Sequence, residues 1–167
     1  CVLLLSEVFL TTSSRSHLSL IAFVSSVLAG AAALATAFEP GRAVFGGLGV
    51  QDPFSSFLTV VVCVGLALAV LLSVGFLKQR NAERGEFYAL MLFAAAGMSL
   101  LAMSAELVAL FIALEVLSVS TYALTAFLRR GPRPAEAGFK YFILGAFSAA
   151  LFLYGNVLLY GATGTTR

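Results

Sequence analysis

Charge is what this sequence has least of: Lys and Arg number 10 and Asp and Glu 8, or 11% of 167 residues, against 60% hydrophobic side chains. A soluble domain of this length needs far more polar surface to cover its core. Together with a mean hydropathy of +1.02, that points to a membrane. The formal net charge of +2 is too small for a nucleic-acid partner, and no basic stripe interleaved with aromatics supplies one. Cysteine and histidine are scarce as well. Cys1, Cys63 and the lone His17 are too few for a disulfide framework or a zinc site. Cys63 sits in an apolar run and reads as a small buried hydrophobe, and His17 reads as a solvated loop residue. Also missing is a basic segment ahead of Cys1-Val2-Leu3-Leu4-Leu5, or a small-residue cleavage site behind it, so no secretory signal is read here. The expectation is a fragment of a longer membrane protein, entered inside its first span.

What is present is a succession of apolar runs, most of them near the roughly 20 residues that cross a bilayer at about 1.5 Å per residue. The first is a remnant, Val2 to Leu10. Complete spans follow at Leu18 to Phe38, Pro53 to Leu77, Phe87 to Ser104, Glu106 to Leu128 and Ala137 to Tyr160. The fold class expected is therefore all-α, a polytopic transmembrane helix bundle of five complete spans and one truncated span, with no soluble domain. Glu39-Pro40-Gly41 stops the second span, and Asp52-Pro53 caps and starts the third. Gly131-Pro132-Arg133-Pro134 is expected to turn the chain between the fifth and sixth. Ser104-Ala105 barely separates the fourth from the fifth, which makes those two a tight antiparallel hairpin.

Basic residues alternate in side. Arg15, then Lys78, Arg80 and Arg84, then Arg129, Arg130 and Arg133 fall on one side, and only Arg42 and Arg167 on the other. By the positive-inside rule the richer side is cytoplasmic.

Between the helix ends, the embedded ionisable side chains other than tyrosine are Glu115 in the fifth span and Lys140 near the start of the sixth. A charged side chain at a helix centre costs on the order of 2.5–3.5 kcal/mol on the lenient insertion scale. A carboxylic acid lowers that cost by taking up a proton, and a neighbouring cation favours its release. An acid of this kind is either a proton-transfer element or an interhelical hydrogen-bonding group that holds the bundle together. At about 100° per residue, Ser118 and Tyr122 share the face of Glu115, with Thr125 near the edge of that stripe. The stripe would hold water on a path inward; the other reading is that Ser118 and Thr125 let helices approach closely. Glu115 lies roughly 20 Å from the inner end of its helix, and Lys140 roughly 6 Å from the start of its own, so a direct ion pair is not expected. Lys140 either snorkels to the surface or serves as a second station on one wet path. Glu7, Glu39, Asp52 and Glu106 read as helix-end residues, and Ser25, Ser26, Gly30, Gly97 and Ser99 as small packing residues.

The runs EFYALMLFAAAGMSLLAMSAELVALFIALEVLSVSTYALTAF (86–127) and EAGFKYFILGAFSAALFLYGNVLLYGATGT (136–165) resemble the subunit N family of respiratory complex I, the antiporter-like NADH–quinone oxidoreductase subunits. The resemblance implies an inverted-repeat fold of which this chain carries the N-terminal part. It matches Glu115 to the family's essential glutamate and Lys140 to the lysine of the next helix. It further implies that Glu115 pairs with a lysine on a broken helix beyond Arg167, and that switching of the pair drives proton transfer. The function implied is proton translocation coupled to quinone reduction by NADH, within an enzyme whose redox sites lie elsewhere. NADH, FMN, iron–sulfur clusters and quinone would belong to partner subunits, with no cofactor, metal or redox site in this chain. The partners implied are the other membrane subunits of complex I, and the location a bacterial inner (plasma) membrane. The alternatives are a sister antiporter-like subunit of a membrane hydrogenase or multisubunit cation/proton antiporter, and a membrane scaffold or assembly subunit.

Overall fold

The computed structural model describes residues 16–128 and 132–167. The expected remnant span 2–10, Glu7, Arg15 and the Arg129–Arg130 pair lie outside the described residues. The second to sixth expected spans are here helices α1 (Ser16–Thr36), α2 (Pro53–Gln79), α3 (Gly85–Met103), α4 (Leu107–Thr125) and α5 (Pro132–Thr163). All five are long and apolar enough to cross a membrane. Large apolar side chains such as Leu72, Phe139 and Leu144 point outward, as they do where lipid, or further helices, replaces water.

Local chemistry sets the helix ends. Asp52 caps α2: its Oδ1 accepts from the Ser55 backbone N–H at 2.7 Å, while Ser55 Oγ accepts from the Asp52 N–H at 2.9 Å. The Ser55 backbone N–H, and after it the Ser55 hydroxyl, hold the Asp52 carboxyl below its ordinary 3.8. Two features differ most from expectation. The proline-rich segment that was to turn the chain instead begins α5 at Pro132, because a proline in the first helical turn gives up an N–H that has no intrahelical partner. Lys140 is consequently eight residues into its helix, or about 12 Å, not 6 Å.

The second difference is a small antiparallel β-hairpin, β1 (Arg42–Val44) and β2 (Gly49–Gln51), in the segment between α1 and α2. It lies against the α3–α4 turn, where the Ala105 N–H donates to Leu48 O at 2.9 Å. Thr166 O accepts from the Leu107 N–H at 2.9 Å, and Arg167 Nε donates to Glu106 Oε1 at 2.7 Å. Glu106 thus does more than mark a helix end. The start of α4 is held between the hairpin and the last residues of the chain.

The core lies where α1, α2 and α3 meet, around Leu18, Ala22, Leu66, Val70, Leu77, Tyr88 and Ala95. Gly30 of α1 faces Cys63 of α2, which is buried. On the other side of the bundle α3 and α4 approach at Gly97, and α5 packs chiefly against α4.

Candidate functional site

The two faces of α4 have separate jobs. Ala113 and Leu117 present backbone to α3: a Cβ added at Gly97 would lie 3.0 Å from Ala113 O and 2.6 Å from Leu117 N. About half a turn round, Phe111 stacks on Phe152 of α5 with ring centroids 6.2 Å apart. Tyr122 meets Tyr141 edge to face at 4.7 Å and Phe142 at 6.0 Å. Near the top of the same seam, Asn156 Nδ2 lies 3.5 Å from Leu107 O.

Residues 111, 115, 118 and 122 recur at helical spacing, so Glu115 and Ser118 fall on the stripe that faces α5, between the two aromatic contacts. Glu115 is half-buried as a residue, yet its Oε1 is shut off from solvent and, among the described residues, has no hydrogen-bond partner. A buried carboxylate oxygen without a partner is costly.

Of the residues singled out from sequence, Tyr122 and Ser118 share this seam with Glu115. Tyr122 enters it through a notch: a Cβ at Gly145 would overlap the Tyr122 hydroxyl. Thr125 is exposed, and its hydroxyl donates back to Thr121 O at 2.8 Å. Lys140 stands apart. The Tyr122–Tyr141 contact sets it about two turns, or about 10 Å, along the bundle from Glu115. Its amine pairs with Glu136 Oε1 at 2.6 Å, an exposed i,i+4 pair of the kind that adds little stability.

Sequence reasoning did not pair Glu136 with Lys140, and it passed over Asn156. The first was legible from its spacing to Lys140; the second is a lone amide in an apolar helix, and only the packing of α5 on α4 brings it to the start of α4. The Tyr122 ring contacts give a stability prediction. Tyr122→Phe keeps both, while Tyr122→Ala loses them at about 0.5–1.5 kcal/mol each. Thermal unfolding of the full-length protein in detergent should leave the first variant near wild type and lower the second.

Residues 104–167 match the family described as NADH:quinone oxidoreductase/Mrp antiporter, TM. Across 167 residues the chain is 70% identical to NADH-quinone oxidoreductase subunit N of Myxococcus xanthus, covering 99% of this chain and 32% of that protein. It is 39% identical over 165 residues to NADH-quinone oxidoreductase subunit N of Trichlorobacter lovleyi, covering 99% of this chain and 34% of that one. Among solved structures it is similar to a chain of respiratory complex I from Thermus thermophilus with bound aureothin. The TM-score there is 0.82 at 36% identity, over 99% of this chain and 35% of the other. The chain spans about a third of the length of the curated relatives it matches.

Proposed function

The chain belongs to the subunit N family of NADH-quinone oxidoreductase, and on that premise we propose that it is the N-terminal part of an antiporter-like, proton-translocating membrane subunit. Quinone reduction by NADH takes place in partner subunits, which hold the FMN and iron–sulfur clusters, and drives proton transfer through this bundle. The relatives named subunit N favour this reading over a sister subunit of a hydrogenase or cation/proton antiporter. The protein lies in a bacterial plasma membrane beside other membrane subunits of complex I, with the end carrying Lys78, Arg80 and Arg84 inside.

The observation that carries the proposal is the Glu115 carboxylate, with one oxygen buried and unpartnered on the seam between α4 and α5. Glu115 takes up and releases the proton. Ser118 and Tyr122 line the wet route toward the basic end, and Thr125 flanks its mouth. Lys140 is a second station two turns nearer the surface, shared with Glu136. The cation that switches Glu115 comes from the rest of the subunit, which packs on faces that α4 and α5 leave uncovered here.

Infrared difference spectra of the full complex during turnover test this. A protonated-carboxyl C=O band should appear or shift on turnover and vanish in Glu115→Gln. An identical band in wild type and variant would show that Glu115 does not exchange a proton.

A further inference from the structure

At the end of the bundle opposite the β-hairpin, a cleft of about 310 Å³ opens between the α2–α3 turn, the end of α4 and the start of α5. Arg80, Asn81, Arg84 and Glu86 are among its polar lining, and Phe127, Leu128 and Pro134 among its apolar lining. Arg129 and Arg130 lie outside the described residues.

Its charges are open for use. Arg80 stands 4.6 Å over the Phe76 ring and, among the described residues, makes no ion pair with a carboxylate. Arg84 reaches Glu86 at 3.9 Å, with both side chains about half exposed, 54% and 52%. A guanidinium held so loosely keeps most of its donors for another acceptor. Arg84 also occupies the cap position of α3 without a side-chain capping bond. Among the described residues of the lining, two guanidinium groups stand against one carboxylate. Planar guanidinium donors suit phosphate oxygens.

We propose that this cleft is a phosphate site, and that at this depth it takes the headgroup phosphate of an anionic phospholipid, with the acyl end on the Phe127–Leu128 side. The site lies at the ends of apolar helices, where headgroups sit, and basic pockets between membrane helices select anionic headgroups. The inference rests on reading α1 to α5 as bilayer spans.

The test uses the full complex in nanodiscs of phosphatidylcholine with a minor fraction of phosphatidylglycerol, the lipid retained after gentle detergent release being quantified by mass spectrometry. Wild type should retain phosphatidylglycerol preferentially. The Arg80→Gln/Arg84→Gln double variant should lose roughly tenfold of that preference, and Lys78→Gln, outside the cleft, should keep it. A double variant that retains as much as wild type overturns the site, and so does a wild type with no preference, whatever the variants do. A parallel arm offers radiolabelled inorganic phosphate in discs of phosphatidylcholine alone. Binding there that the double variant loses, with no phosphatidylglycerol preference, assigns the cleft to the free anion and overturns the lipid form. Wild-type complex that leaves the membrane on alkaline extraction sinks the span reading itself; retention there with no lipid preference sinks only the site.

Discussion

Glu115→Gln in the full-length subunit should leave the complex assembled while proton transfer through this subunit falls roughly a hundredfold, the low end of what a positioned proton-transfer side chain contributes. Glutamine matches the shape of a glutamic acid and keeps an oxygen and a nitrogen for hydrogen bonding, but it exchanges no proton. Since Glu115 Oε1 has no partner to lose, the substitution breaks no hydrogen bond at that atom. Subunit content is read from purified complex, and proton uptake from dye quenching in proteoliposomes driven by NADH and quinone. Intact assembly with normal proton uptake would remove Glu115 from the path. Failed assembly would mean that the acid holds helices together, the scaffold reading of the same residue.

Gly97→Val should have the opposite signature, loss of the subunit itself. A Cβ at residue 97 would come within 2.6 Å of Leu117 N and 3.0 Å of Ala113 O. Both neighbours are backbone, so no rotamer change relieves the overlap and α3 and α4 must move apart. Overpacking typically costs about 1–3 kcal/mol, and a rigid backbone on both sides puts this substitution at the upper end or beyond. Ala113 and Leu117 flank Glu115 along α4, so parting the helices also displaces the acid. The measurement is the amount of full-length subunit recovered with the complex and its thermal midpoint in detergent. Gly65→Ala is the matched control, because a Cβ there meets nothing within 4 Å and alanine favours helix over glycine by about 1 kcal/mol. Equal losses in both variants would mean that the close approach at Gly97 does not decide the outcome.

Much of the architecture follows from chemistry within reach of the chain itself. Apolar runs of bilayer length have few ways to satisfy their backbone other than as helices. Asp52-Pro53 starts α2 because cap and proline act on their own turn, and the Glu115–Ser118–Tyr122 stripe is fixed by the 3.6-residue period. Of the two misread features, one depends on partners distant in sequence and the other on position within a helix. The hairpin from Arg42 to Gln51 reads as a short linker until the α3–α4 turn and the last residues of the chain supply its neighbours. Pro132 and Pro134 read as a turn because proline breaks helix interiors; that rule does not hold in a first turn, and α5 starts there.

By itself the sequence determined the five apolar helices of membrane-crossing length, which end of the bundle is basic, and that an acid lies inside one helix, all consequences of composition and period. Only the tertiary structure decided which neighbour that acid faces. The backbone contacts at Gly97 turn one side of α4 toward α3, and the rings at Phe111 and Tyr122 turn the other toward α5. Helical period puts residues on a common face, but the rotation of that face within the bundle is set by which side chains are small enough for backbones to meet.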